Sequence, residues 1–186
     1  MYLDEHLTWK YHINFVCKQI TESISILSRM CFYLSCKTKL TLHYTLIYPY
    51  ITYCNSMWWS TYISNLNRIY YLHKRAVQAI TAPLFSKLEF LDIFQVNTLD
   101  TAKFMFHNDN NLLPPLFHNL FMTNSQVHRY DTRTTSNYRV HSCCKNTKKF
   151  TILYKGPRIW NCLPASFTNL SSFSIFKNKV LEFLLK

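Results

Sequence analysis

Glycine is almost missing from the 186-residue chain, because Gly156 is its single example. Average usage of about 7% would give roughly 13 glycines in a chain of this length. Phosphate-binding loops and dinucleotide-binding turns depend on several closely spaced glycines. The sequence therefore excludes both kinds of nucleotide site and predicts no cofactor.

The cysteines lack the spacing of a metal site or of a disulfide framework. There are seven of them, an odd number, and no two form a C-x-x-C pair. Zinc sites and disulfide-rich secreted domains both show recurrent short spacings. The first ten residues, MYLDEHLTWK, are acidic where a signal peptide is basic and then apolar. We expect a reduced, intracellular protein of the nucleus or cytoplasm, with no metal.

Acidic residues are also few and scattered. Phosphoryl transfer by two metal ions needs several carboxylates close together, and the one adjacent pair, Asp4 and Glu5, stands alone. No serine or cysteine has the sequence context of an activated nucleophile. The chain is therefore predicted not to be an enzyme by itself.

Charge is absent from one long stretch, Leu40 to Asn67, which lies between Lys39 and Arg68. A bilayer span needs about 20 predominantly apolar residues, whereas polar side chains and Pro49 interrupt this run. We favour the core of a helical domain over a membrane segment. Because proline disturbs the helix that precedes it, two helical pieces are predicted, at 38–48 and 49–58, with Trp58 and Trp59 as packing residues. The apolar face is predicted to comprise Leu40, Leu42, Leu46, Ile47, Tyr50 and Ile51.

Apolar residues recur at helical spacing on both sides of this stretch. They predict helices at 8–29, with Thr8 as N-cap and His12 at the boundary of the core, and at 62–81 and 89–108. The Pro114–Pro115 pair predicts a short helix to Phe121. The predicted fold class is mainly α: a helical bundle at 1–82, connecting helices at 83–121 and a basic, partly irregular C-terminal extension at 122–186.

The extension combines several kinds of local pattern. Residues 122–148 show little periodicity and predict a loop or arm. The β-prone run 149–154 (KFTILY) suggests a short β-hairpin with 138–141, and Gly156–Pro157 suggests a turn. Trp160 is predicted to anchor this region in a core. A terminal helix with Phe176 and Val180 on its inner face completes the prediction.

The net charge of +12 is concentrated near the C-terminus, since residues 126–186 carry 11 basic and 2 acidic side chains. Such a field favours a polyanion, although a solvated face without a partner is the alternative. Cations interleaved with aromatic rings suit phosphate contacts and base stacking. For Tyr130 and Tyr138, core packing is an equal alternative. The predicted nucleic-acid contacts are Lys74, Arg75, Arg129, Tyr130, Arg133, Tyr138, Arg139, Lys145, Lys148 and Lys149.

Six segments occur in an order that resembles a known family. They are LDEHLTWKYHI (3–13), YTLIYPYITYCNSMWW (44–59), LHKRAVQAIT (72–81), NNLLPPLFHNLF (110–121), HRYDTRTTSNYRV (128–140) and GPRIWNCLP (156–164). Together they resemble the thumb and C-terminal extension of non-LTR (LINE-type, jockey-like) retrotransposon reverse transcriptases. The similarity covers nearly the whole chain.

The resemblance implies a thumb-like bundle that packs against a template–primer duplex and a basic arm that grips RNA or DNA. The family's palm, with its metal-binding aspartates, would lie before Met1. The join at 80–84 is about a dozen residues shorter than is usual in the family. Trp59 or Ser60 stands where the family often has glycine. We expect a truncated, catalytically inactive polymerase fragment with weak, non-specific affinity for RNA or DNA.

Two other functions remain open from the sequence. A thumb without its palm exposes an apolar face, which favours self-association or a protein–protein interaction module; an orphan fragment without a selected role is the limiting case. Membrane anchoring through 40–60 is the third and least favoured alternative.

Overall fold

The computed structural model describes residues 1–81 (without the side chain of residue 81), 90–127, 135–143, 149 and 151–185. Over these residues the fold is mainly helical, as predicted. The chain separates into two compact units, Met1–Asn97 and Thr98–Lys186. The boundaries predicted after residues 82 and 121 remain predictions, and the first lies at the edge of a segment outside the described residues.

Helices form most of both units. The first unit contains α1 (Lys10–Met30), α2 (Cys36–Leu46), α3 (Tyr48–Thr52), α4 (Asn55–Trp58) and α5 (Ile63–Thr81). Helix α6 (Ile93–Asp109) spans the division between the units. The second unit continues with a 3₁₀ helix (Pro115–Phe117), α7 (Asn124–Val127), α8 (Ile152–Cys162), α9 (Ala165–Thr168) and α10 (Phe173–Leu185). None of the helices in the described ranges combines the length and apolar character that crossing a bilayer requires.

The bundle of the first unit is built on α1 and α5, which pack against each other. Both predicted helices are confirmed to within two residues. The apolar spacing predicts the inner face of α1 as Ile13, Val16, Cys17, Ile20, Ile24 and Leu27, and all six are buried. The predicted inner face of α5 comprises Leu66, Ile69, His73, Ala76, Val77 and Ile80, and it is buried except for Val77, which is half-buried. His12 is also buried, which corrects its assignment to the boundary. The helical periodicity thus locates this core correctly.

The start of α1 differs from the prediction. Thr8 does not act as N-cap; Trp9 precedes the helix in a left-handed conformation with φ of 61°. The Asp4 carboxylate accepts hydrogen bonds from the backbone N–H groups of Thr8 and Trp9, at 3.1 Å each, and from the Thr8 hydroxyl. These hydrogen bonds lower the pKa of Asp4, and the bond from the Thr8 hydroxyl has the largest effect. A carboxylate here suits the positive end of the helix.

The break at Pro49 is confirmed. Helix α2 ends at Leu46, and α3 begins at Tyr48 with Pro49 in its first turn, where proline's missing N–H is no loss. A second break follows at Cys54, whose φ of 52° is left-handed. Trp58 and Trp59 are buried, at 0% and 4% exposure, so their prediction as packing residues is confirmed.

The predicted apolar face of α2 and α3 is only partly buried. Ile47 and Ile51 lie in the core, whereas the leucines at 40, 42 and 46 are half-buried. The buried side chains of α2 are Lys39 and His43. The inner face of this helix is therefore polar, which apolar periodicity cannot predict.

The core of the second unit is aromatic. The rings of Phe106 and Phe176 stack with centroids 4.6 Å apart, and the ring centroids of Trp160 and Phe176 lie 5.7 Å apart. The anchoring role of Trp160 and the terminal helix with Phe176 and Val180 inside are confirmed. Unlike Phe176, Phe183 at the end of that helix remains exposed.

The predicted β-hairpin and the turn at Gly156–Pro157 are wrong. Residues 152–162 form α8, with Gly156 and Pro157 inside the helix. Tyr138 pairs instead with Thr123, through one isolated antiparallel bridge. Gly156 and Trp160, four residues apart, share the buried face of α8. A side chain at 156 would place Cβ 2.7 Å from Met105 Sδ, so close packing explains both the helix and its glycine.

Candidate nucleic-acid interface

Five of the ten predicted contact residues lie within the described part of the chain. Lys74, Arg75, Arg139 and Lys149 are exposed, and Tyr138 is buried. The other five, Arg129, Tyr130, Arg133, Lys145 and Lys148, lie outside the described residues, as do the parts 128–134 and 144–148 of the predicted arm. Lys74 and Arg75 belong to the first unit, and Arg139 and Lys149 belong to the second.

Tyr138 serves the core, the alternative that the sequence left open. Its side chain is 7% exposed and lies edge-on to Phe121. Its hydroxyl donates to Asp109 Oδ1 at 2.8 Å and accepts from Asn108 Nδ2 at 3.2 Å. Burial, supported by the bond to Asp109, raises the pKa of the phenol. A ring held in this way is not available for base stacking, which corrects its assignment as a contact.

Removing the hydroxyl tests this structural role. We expect Tyr138→Phe to lower the free energy of unfolding by about 1–2 kcal/mol, because Asn108 and Asp109 lose a shared partner. Urea denaturation measures the change, and Tyr154→Phe is a control at a half-buried tyrosine of the same unit. Unchanged stability would contradict the structural role. Weaker nucleic-acid binding with full stability would restore Tyr138 as a contact.

Arg75 lies on a groove of about 560 Å³ between α1 and α5. Arg68, Tyr71, Leu72 and Arg75 follow at helical spacing on one face of α5. Residues of α1 one turn apart provide the other wall. The complete lining is Asn14, Cys17, Lys18, Thr21, Glu22, Arg68, Tyr71, Leu72 and Arg75. We call this surface the α1–α5 groove.

The α1–α5 groove carries three cations and one carboxylate. Lys18, Arg68 and Arg75 oppose the single charge of Glu22, so the groove has a net positive charge. The Arg68 guanidinium is oriented by donation from Nη1 to Asn14 Oδ1 at 2.8 Å. Tyr71 lies beside these cations with 62% of its surface exposed. Such a surface can bind phosphates and offer an aromatic face to a base.

Lys18, Arg68 and Tyr71 were missed by the sequence analysis. Helical spacing places Lys18 on the solvent-facing side of α1 and Arg68 on the side of α5 away from its apolar face, and it indicates nothing more about either residue. A local charge pattern does point to Arg68. Between Glu22 and Glu89 there is no acidic residue, whereas this interval contains Arg29, Lys37, Lys39, Arg68, Lys74, Arg75 and Lys87. Averaging charge over the first 125 residues hides this excess.

Two basic side chains of the second unit have particular surroundings. Burial lowers the pKa of Lys155 to about 8. A larger fraction of this side chain is therefore uncharged near neutral pH than of an exposed lysine. The Arg158 guanidinium lies 5.5 Å from the centroid of the Tyr154 ring, within the range of a cation–π contact. Tyr154 is half-buried in this arrangement.

A buried histidine pair is the other notable polar feature. His43 of α2 and His73 of α5 meet with their Nε2 atoms 3.3 Å apart. Burial, reinforced by the neighbouring His73, lowers the pKa of His43 to about 4. Burial also lowers the pKa of His73 to about 4, with Asp92 opposing the shift. Over the described ranges, no three histidine, cysteine or carboxylate side chains are grouped to hold a metal ion.

Comparison with family models, with curated proteins and with solved structures found no match to the chain. The family resemblance therefore depends on the six sequence segments alone.

Proposed function

We propose that the chain binds RNA or DNA weakly and without sequence specificity, through the α1–α5 groove and the cations of its C-terminal extension. The observation that carries this proposal is the placement of Lys18, Arg68 and Arg75 in one groove beside an exposed tyrosine. Phosphate contacts of this kind are independent of sequence. They bind through the release of counterions from the nucleic acid.

We further propose that the chain corresponds to the thumb and C-terminal extension of a non-LTR retrotransposon reverse transcriptase. The support is the order of the six segments and a helical first unit. In that family the metal-binding aspartates belong to the palm, so the proposal assigns nucleic-acid binding and not nucleotide polymerisation to these residues. Genomic sequence in frame upstream of Met1, read for paired aspartates, tests the origin independently of binding.

Salt dependence tests the binding proposal. Fluorescence anisotropy of a labelled single-stranded RNA and a labelled DNA duplex gives affinities from 50 to 200 mM salt. If about five phosphates are contacted, the logarithm of the association constant falls with the logarithm of salt concentration at a slope near −4. An association constant that does not change with salt concentration, or the absence of binding at low salt, would overturn the proposal.

Charge reversal locates the site. We expect Arg75→Glu to weaken binding about five- to tenfold and to make the salt slope shallower by about 1. Lys10→Glu is the matched control, because it makes the same charge change at an exposed position of α1 outside the groove. Equal losses of affinity in both variants would show that net charge alone matters and would overturn the assignment of the α1–α5 groove as the binding site.

Reversal of Lys148 and Lys149 tests the extension and should weaken binding equally for all sequences.

A further inference from the structure

The connection between α1 and α2 exposes two adjacent aromatic rings. Phe32 is 90% exposed and Tyr33 87% exposed, and Phe32 is the most exposed large apolar side chain among the described residues. We call this pair the aromatic tip. Burying an aromatic ring removes a large apolar area from water, so two rings left in solvent favour a partner that covers them.

The backbone of the aromatic tip is held at both ends. The N–H of Tyr33 donates to the carbonyl of Met30 at 3.0 Å, which closes a turn at the end of α1. The Ser35 hydroxyl accepts from the N–H of Thr38 at 3.2 Å and caps α2. Both flanking helices are thus fixed close to the tip. The rings are presented on an ordered loop, which lowers the conformational cost of binding.

The charges near the aromatic tip select an anionic partner. Arg29 in the last turn of α1 and Lys37 in the first turn of α2 are both exposed. The nearest acidic residues along the chain are Glu22 and Glu89. The aromatic tip lies in the sequence between these two cations. It therefore suits a polymer in which flat apolar groups alternate with negative charges. A single strand of nucleic acid has that chemistry, whereas a duplex hides the faces of its bases.

We propose that Phe32 and Tyr33 stack on unpaired bases, while Arg29 and Lys37 contact the adjoining phosphates. The inference rests on the proposed nucleic-acid function and adds a preference for single strands. The aromatic tip supplies stacking, Arg29 and Lys37 supply charge beside it, and the cations of the α1–α5 groove supply further charge. Stacking is tolerant of base identity, so the preference concerns strandedness and not sequence.

Loss of both rings is the first test. We expect Phe32→Ala combined with Tyr33→Ala to weaken binding of a labelled 12-nucleotide single strand at least about tenfold. Affinity for a DNA duplex should change less than about twofold, and the salt slope should stay the same, because no cation is removed. The matched control is Tyr62→Ala combined with Ile63→Ala, which removes two adjacent apolar side chains of 63% and 58% exposure.

A fluorescent reporter gives a direct test of stacking. The four native tryptophans, Trp9, Trp58, Trp59 and Trp160, are at most 6% exposed. A tryptophan introduced by Phe32→Trp should therefore dominate quenching by iodide in solution. Addition of single-stranded oligonucleotide should quench its emission by stacking and protect it from iodide. Tyr62→Trp places an exposed tryptophan away from the tip and should show neither effect.

The outcomes separate this inference from the proposed function. Absence of salt-dependent binding in the unmodified protein would overturn both. Salt-dependent binding that the double tip variant retains in full would overturn the aromatic tip alone, and so would equal losses for single strand and duplex. A response of the Phe32→Trp reporter to phosphatidylserine vesicles but not to oligonucleotide would assign the tip to a lipid surface. Self-association lost in the tip variant, with unchanged RNA affinity, would assign it to a second copy of the chain. Either assignment would overturn the proposal.

Discussion

Replacement of Trp58 by alanine is expected to lower the free energy of unfolding of the first unit by about 4 kcal/mol. The Trp58 side chain is fully buried, and its indole Nε1 donates to the carbonyl of Tyr53 at 2.8 Å. Its ring lies edge-on to His12, with centroids 5.9 Å apart. Truncation of a buried aromatic residue to alanine costs about 3–5 kcal/mol, because it removes apolar contacts and leaves a cavity.

Urea denaturation followed by circular dichroism measures this change without depending on tryptophan emission. Met57→Ala is the matched control, since it shortens the preceding side chain of the same four-residue helix, and that side chain is 56% exposed. Its effect should stay within about 0.5 kcal/mol. Trp58→Phe keeps most of the ring and should fall between the two. A Trp58→Ala protein as stable as the Met57→Ala protein would contradict the packing described for α4.

The central role of Trp58 was predictable, because the long uncharged run around it had to be either membrane or core. The bundle of α1 and α5 was predictable for a related reason. Each helix has more than four turns, so the apolar spacing repeats often enough to distinguish a helix from a strand. Pro49 located the break between α2 and α3 because proline acts on the backbone directly.

The error at α8 shows the limit of local patterns. Six residues that favour β structure predicted a strand at 149–154, and glycine followed by proline predicted a turn. The structure places residues 152–162, including Gly156 and Pro157, in a helix whose buried face contacts Met105 and Phe121, far away in the sequence. Such contacts override intrinsic propensity, and a single sequence does not reveal them.

The candidate site was predicted in part. Arg75 was found because it is basic, but its partners in the α1–α5 groove come from α1 and from two other turns of α5. Only the packing of the two helices brings Lys18 near Arg68. The aromatic tip was not predicted, because phenylalanine and tyrosine at positions 32 and 33 are residue types that usually lie in a core. Their exposure depends on the point at which α1 ends.

Acidification is expected to destabilise the first unit through the buried pair of His43 and His73. Burial lowers the pKa of each from the ordinary value of 6.5 to about 4 in the folded protein. In the unfolded chain both titrate near the ordinary value. The unfolded state therefore binds more protons between pH 6.5 and pH 4, so stability is complete above pH 6.5 and falls as the pH decreases.

The size of the effect follows from linkage. A buried histidine with these pKa values loses about 1.5–2 kcal/mol of stability between pH 7 and pH 5, so the pair loses about 3 kcal/mol. His12, whose pKa burial also lowers, contributes in the same direction. Among the described residues, Asp92 favours the protonated form of His73, and the buried Lys39 lies one turn before His43 on α2. Tyr44, Tyr48 and Phe90 surround His43 with aromatic rings.

Urea midpoints at pH 7 and pH 5, followed by tryptophan emission, measure the loss. The variant His43→Leu combined with His73→Leu removes both titrating groups and should lose most of the pH dependence, because two apolar side chains can replace a buried polar pair without an unpaired atom. The matched control is His6→Gln combined with His141→Gln, which removes two exposed histidines and should leave the pH dependence intact. If the leucine variant loses as much stability between pH 7 and pH 5 as the unmodified protein, the acid sensitivity originates elsewhere. If the unmodified protein is equally stable at the two pH values, the pair is not buried in its neutral form.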